Sequence, residues 1–549
     1  MGSGGSSGIG GTLSATGGTN TGGTVATGGS TGTAGSTAVA GSTAVGPVTL
    51  TVTTSADVHK ISRLIYGVNP GIVACSDSTA RFTVCRRGGN AWSTYNWENN
   101  AANAGSQTCF QNDDELGTSD TPAEPVTSLI TEANQNGAAA TVTIPIIDYV
   151  AADKLGGTPP PLCSGDVRLS TDYLTTRFKH NQSRKGSAFS DPPDATDSNV
   201  SQDEFLAYVK ARAGSAQVLI TLDNQPELWS ITDVEVHPDH ATYQEVVARN
   251  VEYATMVRDT WPEVEITGYG GYGYYAFLTL QDAPNAPGNS VFLDYYLASM
   301  QAADVTASKR LIDYLDIHWY SEAVGDNERV TVADATPGLV QARVQAPRSL
   351  WDSTYSENSW LAASYGPLQL IPWINNKITQ YYPGTKLAIS EWSYGGEGSI
   401  SGAIAVADAL GIFGRENVGF AALEPIANDM SFALGAFAVF RNFDGVGATF
   451  GDTSVRAISN DVSRVSIYAS TDSNVSGRVV IVAINRSDTD LPTPLTVQDS
   501  ATFTTADVYQ LTSASATPQK VATLTATTGN SFTPTLPAYS VSVIVPKSN

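Results

Sequence analysis

Residues Val218–Trp229 read VLITLDNQPELW. The run Val218–Leu222 is apolar and β-branched at Val218, Ile220 and Thr221, which suits a strand buried on both faces. It breaks at once into Asp223, Asn224, Gln225 and Pro226. A buried strand that ends in clustered polar side chains is how a (β/α)8 barrel presents chemistry at its C-terminal face. Lys386–Gly396, KLAISEWSYGG, has the same grammar, with Leu387–Ser390 as the strand and Glu391 at its end. Only a closed barrel brings two such distant strand ends together.

Eight runs of this kind can be read: Leu64–Asn69, Arg81–Arg87, Ala140–Ile147, Val218–Leu222, Val264–Gly268, Tyr314–Tyr320, Leu387–Glu391 and Val418–Glu424. Helical patterns lie between them. His240–Trp261 carries Tyr243, Val246, Val247, Val251, Ala254 and Val257 on one stripe, and Pro262 stops it. Leu368–Tyr382 and Ile400–Arg415 flank the seventh strand. The segment 164–200, polar and rich in Pro and Ser, is too long for an ordinary connection and predicts a surface excursion near the active face.

Beyond residue 440 the pattern changes to short strands: Val465–Ser470, Gly477–Ile484, Leu495–Gln498, Ala506–Leu511, Ala522–Thr525 and Tyr539–Val545. Their spacing predicts a β-sandwich, here a structural partner of the barrel. Val48–Thr54, VTLTVTT, alternates like a strand and is offered no neighbour but that sandwich. The domain reading is a Gly/Ser/Thr-rich linker over 1–46, a strand joining the sandwich over 47–61, the barrel over 62–440 and the sandwich over 441–549. The linker has too little apolar surface to fold. It lacks the basic and apolar regions of a signal peptide, yet its composition favours a secreted protein.

The chain has 549 residues and a net charge of −23, from 53 acids against 30 Lys and Arg. No basic cluster exists, so nucleic acid is excluded as a partner. No apolar run of about 18 residues exists, so no helical membrane span is expected. Cys75, Cys85, Cys109 and Cys163 form no CxxC and read as disulfides of undetermined pairing. No nicotinamide or phosphate motif appears. No cofactor is expected; the acids leave room for a structural calcium, though no EF-hand-like spacing places one. A monomer is expected.

Several stretches together carry a resemblance. RRGGNAWSTYNWENNAANAG (Arg86–Gly105) is the most specific. With it go IPIIDYVAADK (Ile144–Lys154), LDNQPELW (Leu222–Trp229), ISEW (Ile389–Trp392), RNFDG (Arg441–Gly445) and FGDTSV (Phe450–Val455). These resemble the motifs of glycoside hydrolase family 44, over nearly everything after the linker. The resemblance implies a (β/α)8 barrel plus a β-sandwich built from both chain ends. It also implies a secreted, retaining endo-β-1,4-glucanase or xyloglucanase acting on plant cell-wall β-glucan. A xylan- or mannan-active member of the same clan is the neighbouring alternative.

Such chemistry needs two carboxyl groups flanking the glycosidic bond. Glu391 is the candidate nucleophile. Position 225 is where the family pattern has the acid/base Glu, and this chain has Gln225. An amide matches a carboxyl in shape but has no proton to give and cannot act as a base. The chain should therefore be a disabled enzyme, or a barrel that binds β-glucan without cutting it. The intact motifs around Gln225 favour a deliberate Glu→Gln exchange over a natural inactive homologue. Glu227, past Pro226, is assigned no role.

The resemblance gives Asn224 a hydrogen bond to the sugar 2-hydroxyl. His318 and Tyr320 end the sixth strand, and Tyr320 is placed to orient Glu391. Arg86 and Asn90 close the second strand and shape the site floor. Among the many aromatics of the active face, Trp92, Tyr95, Trp97 and Trp392 are read as sugar platforms, core packing being the alternative. Strand eight often ends in Trp in such enzymes. Here it ends Leu423–Glu424, which bears on the floor of the −1 subsite.

Overall fold

The computed structural model describes residues 46–156, 163, 165–284, 286–287 and 290–548. The linker read over 1–46 lies, apart from Gly46, outside the described residues.

Eight parallel strands close into a barrel. They are β2 (Gly67–Val68), β3 (Val84–Arg86), β4 (Ala139–Ile144), β5 (Val218–Leu222), β6 (Glu265–Gly271), β7 (Tyr314–Tyr320), β8 (Lys386–Ser393) and β9 (Phe420–Leu423). β1 (Leu50–Thr53) precedes them and lies elsewhere. Helices α1 (Glu124–Gln135), α2 (Gln202–Ala213), α3 (Tyr243–Thr260), α4 (Phe292–Ala307), α5 (Leu370–Tyr381), α6 (Ile400–Arg415) and α7 (Ser431–Arg441) follow β3 to β9 in turn. The longest, α3, opens with a capping box in which Thr242 and Glu245 satisfy each other's backbone N–H groups.

The barrel strands show how a period of two sorts side chains. On β7, Leu315, Ile317 and Trp319 pack outward in the main apolar core. Tyr314 joins Val84, Leu219, Ala388 and Phe420 in a separate apolar cluster inside the barrel. Asp316, His318 and Tyr320 share its face and climb toward the mouth. Along β7 the barrel interior thus runs from apolar to ionic.

The first strand is shorter than the sequence suggests. Ser62 Oγ accepts from Leu64 N–H at 3.2 Å and sets up a 3-10 turn over Arg63–Ile65, leaving two residues as strand. The 164–200 excursion contains strands Phe178–Gln182 and Asn199–Ser201, which form a small sheet with Tyr149–Ala151.

The second unit is a sheet sandwich of β10 (Thr453–Ser459), β11 (Val465–Thr471), β12 (Val479–Asn485), β13 (Leu495–Gln498), β14 (Thr505–Thr512), β15 (Ser515–Thr525) and β16 (Ser540–Lys547). The N-terminal β1 inserts between β10, antiparallel, and β13, parallel. β12 reads as an unbroken apolar run because both its faces are covered. Val480, Val482 and Ile484 pack toward the barrel; Val479, Ile481 and Ala483 pack into the sandwich core. A fully buried ion pair between Asp408 of α6 and Arg486 crosses the junction, and Ser466 and Tyr468 of β11 donate to the same carboxylate at 2.7 Å. Disulfides join Cys75 to Cys85 and Cys109 to Cys163. Among the described residues no helix is long and apolar enough to cross a membrane.

Several enclosed carboxyls set a pH signature. Burial pushes Glu98, Asp113 and Glu227 up to about 7. A carboxyl raised in the folded state favours folding fully below its unfolded value and loses that contribution as pH climbs through its folded value. Glu245 works the other way: against burial, His237 and Arg249 pull it down to about 2, and its contribution is complete above the unfolded value. Thermal melts should therefore peak near about pH 5 and decline toward about pH 9. A melting temperature that is flat or rising over that interval would contradict this balance.

Candidate active site

The mouth of the barrel gathers β3, β5, β7 and β8. On β8, Ser390 is an extra residue: Ile389 pairs with Ile317 and Glu391 with His318, so the register shifts between them. Without this bulge the alternation would turn Glu391 outward toward the helices. With it, Glu391 faces inward and Trp392 packs outward, edge-on to Phe413 at 5.2 Å.

Arg86 Nη1 donates to Glu391 Oε1 at 2.7 Å, and Tyr320 Oη to Glu391 Oε2 at 3.0 Å. Burial alone would raise the Glu391 carboxyl. The His318 ring, the Arg86 guanidinium and the Tyr320 hydroxyl outweigh burial and hold it below its ordinary value. The group is thus kept ionised, as a nucleophile requires. The buried Arg86–Glu391 ion pair serves this poise.

His318 is the hinge of the site. Its Nδ1 lies 3.2 Å from Glu391 Oε2 and 2.7 Å from Gln225 Nε2. Laid end to end, those two distances keep Gln225 Nε2 and Glu391 Oε2 within 5.9 Å of each other. Burial pushes His318 down to about 4, so its ring is neutral at neutral pH. A neutral ring carries one N–H. The carboxylate beside Nδ1 and the Arg86 Nη2 donor 3.4 Å from Nε2 place that proton on Nδ1. The Gln225 amide then meets it best through its oxygen, a half-turn of a head whose two ends have the same shape.

Gln225 sits where β5 turns sharply. Asp223 and Gln225 both take positive φ, 62° and 47°. Asp223 anchors the turn: its Oδ1 accepts from Ser93 Oγ at 2.6 Å and Asn224 N at 2.8 Å, and its Oδ2 from Ile146 N at 2.6 Å. Asn224 is tied in place by Gly89 N–H at 3.2 Å and by its own donation to Asn90 Oδ1 at 3.1 Å. Arg86, Asn90, Asn224, Gln225, His318, Tyr320 and Glu391 thus converge on one mouth.

The structure corrects the aromatic platforms. Tyr95 and Trp97 are fully buried; Trp97 stacks on Phe205 of α2 at 5.5 Å, and Tyr95 donates to Asn100 Oδ1 at 2.7 Å. Trp92 closes over Tyr95, and Trp392 lies in the helix layer. None of the four offers a face to a sugar, because the loop that carries the first three folds back on α2. Exposed aromatic surface lies instead in the connections after β6 and β7, at Tyr272 in the first and at Trp360 and Tyr365, on a short helix, in the second, with Trp360 edge-on to Tyr275.

Two residues of the constellation escaped sequence reasoning. Asn69, after β2, accepts from Arg86 Nη1 at 2.8 Å and donates to Ser390 O at 3.1 Å. Asp316 accepts from Ser390 N–H at 3.1 Å, and burial raises it to about 6. Asn69 had the signal of a polar strand end, and Asp316 that of an inward position on β7. Among the described residues no group of three or more His, Cys, Asp or Glu converges as a metal site.

The family profile of glycoside hydrolase family 44 matches residues 101–323. A family 44 xyloglucanase from Paenibacillus polymyxa superposes with a TM-score of 0.86 at 34% identity, over 92% of this chain and all of that one. Endoglucanase A of Paenibacillus lautus is 37% identical over 523 residues, 91% of this chain and 73% of the relative. The chain belongs to glycoside hydrolase family 44. A family 44 endoglucanase from Clostridium acetobutylium gives a TM-score of 0.85 at 34% identity, over 91% of this chain and 99% of that one. Membership fits a barrel with its polar strand ends at one mouth and a sandwich that both chain ends build.

Proposed function

We propose that the chain is built as a secreted, retaining endo-β-1,4-glucanase active on xyloglucan, with its acid/base position occupied by Gln225. The observation that carries this reading is that Gln225 and Glu391 meet the same atom, His318 Nδ1, which keeps Gln225 Nε2 and Glu391 Oε2 within 5.9 Å. Retaining enzymes place the pair roughly 5–5.5 Å apart, whereas inverting ones leave about 6.5–9.5 Å for a water. Glu391 attacks the anomeric carbon as an anion poised by Arg86 and Tyr320. Asn224, fixed by Gly89 and Asn90, meets the 2-hydroxyl of the attacked sugar. The exposed aromatics after β6 and β7 offer stacking faces along the chain. The reaction draws on side chains alone and calls for no cofactor. Relatives named as xyloglucanase and endoglucanase support the substrate class.

As it stands the chain has no proton to give at position 225, which also favours a second reading: a barrel that retains β-glucan without cutting it. The two are separated by a substrate whose leaving group needs no acid. With 2,4-dinitrophenyl β-cellobioside this chain should form its glycosyl-enzyme, and azide should rescue turnover, since azide needs no base. The expected product is the β-glycosyl azide, read by NMR. An α-azide would contradict retention, and no product at all would leave the binding reading standing.

A further inference from the structure

Glu424 follows directly on β9, and its backbone N–H donates to Trp392 O at 3.0 Å. That contact sets it beside Glu391 at the barrel mouth. The residue is half-buried, and its carboxyl takes no hydrogen bond from any described residue. Three groups on other strands are near enough to interact with its charge: Glu391 on β8, Arg86 on β3 and Tyr320 on β7. These are the groups that surround the reacting carboxylate. A sugar whose anomeric carbon is within reach of Glu391 lays its ring across them. Arg86 Nη1 and Tyr320 Oη are committed to Glu391, whereas the hydrogen-bonding capacity of Glu424 is unspent.

We propose that Glu424, as the neutral acid, hydrogen-bonds a ring hydroxyl of the β-glucosyl unit over Glu391, and that its ionisation releases that unit. The proposal rests on the β-glucan reading above and adds a specificity-determining residue to it. A neutral carboxyl both donates and accepts, which suits a sugar hydroxyl. The anion would lose the donor and set a second negative charge beside Glu391. Burial and the Glu391 charge, against Arg86, push Glu424 up to about 8. Its neighbours do not titrate near there: Glu391 is lowered, Tyr320 is raised well above its ordinary value, Arg86 is raised, and His318 is pushed down to about 4. Glu227, at about 7, is enclosed and turned toward the Tyr272 N–H. Glu424 is not placed as a proton donor to the leaving group. It extends the strand paired with β8, whereas that donor belongs across the scissile bond, where Gln225 stands.

Because position 225 is an amide, binding can be titrated with little turnover. The test is calorimetry of the full chain with cellotetraose at pH 6 and pH 9, for the chain as it is, Glu424→Gln and Glu424→Ala. The Kd of the unaltered chain should rise about tenfold between the two pH values, the equivalent of one hydrogen bond. Glu424→Gln should bind within about threefold of the unaltered chain at pH 6 and show no pH dependence, since an amide donates and accepts without ionising. Glu424→Ala should bind about tenfold more weakly at both. A tenfold rise that persists in Glu424→Gln, or an unaltered chain whose affinity is flat, overturns the role of Glu424 and leaves the β-glucan reading intact. No binding by any of the three at either pH overturns both.

Discussion

Gln225→Glu is expected to raise reducing-sugar release from xyloglucan and carboxymethylcellulose by about 10²–10⁴-fold. The amide already occupies the place a carboxyl would take, so the exchange replaces a non-ionising NH2 with an acidic OH of nearly the same shape. The new acid would lie against His318 Nδ1 and face the Glu391 anion. Burial and that like charge would raise it, as they raise Glu424. It would therefore be protonated when the leaving oxygen needs a proton and ionised after giving it, ready to draw one from water. Activity should follow a bell, rising as Glu391 ionises and falling as the new carboxyl at position 225 does. The gain should be largest on polysaccharide and small on dinitrophenyl glycosides, whose leaving group needs no help. If the revertant is as inert as the parent on every β-glucan, Glu391 is not a working nucleophile.

The second large effect is expected from Glu391→Gln in that restored background, a loss of about 10⁴-fold or more, in line with the removal of other catalytic nucleophiles. Glutamine keeps an oxygen for Arg86 Nη1 and turns its NH2 toward Tyr320 Oη, which can accept instead of donate, so the fold should survive. It removes the charge that neutralises Arg86, which is buried and reaches Asn69 and Asn224 only as neutral acceptors. A moderate drop in melting temperature is therefore expected beside the catalytic loss. The two readouts separate a chemical role from a structural one. A variant that melts lower yet keeps its rate would make the Arg86 pair architectural, and the nucleophile would have to be sought elsewhere.

Much of the barrel was legible because its strands are covered on both faces and end abruptly in polar residues. β5 and β7 agree with the sequence reading to the residue. β2 does not, because a single side chain, Ser62 Oγ, bends the apolar run into a turn, and an apolar run cannot report which backbone conformation it will take. β10 was missed for the opposite reason. Only Ser454 and Val455 of its seven residues are buried, so the strand lacks the apolar run by which its neighbours are recognised. The convergence of Glu391, Gln225 and Tyr320 was legible because polar residues that end buried barrel strands meet at one mouth. It was illegible where burial decides. Tyr95 and Trp97 have the composition of a sugar platform and the location of a core, and only the fold of their loop onto Phe205 tells the two apart. The bulge at Ser390 was equally silent, since an extra residue in a strand leaves no mark on its hydrophobicity. The disulfide pairing depended on loop paths that four cysteines cannot specify.

The seat of β1 has a mechanical consequence. Whatever is attached ahead of residue 46 pulls on the folded protein through a strand laced to β10 on one side and β13 on the other. Tension along that strand loads both hydrogen-bond ladders in shear. The bonds must then yield together, as they would not if the strand were peeled from an edge one bond at a time. A pull from that side is thus taken up by the sandwich sheet before it reaches the eight strands that align Gln225 with Glu391.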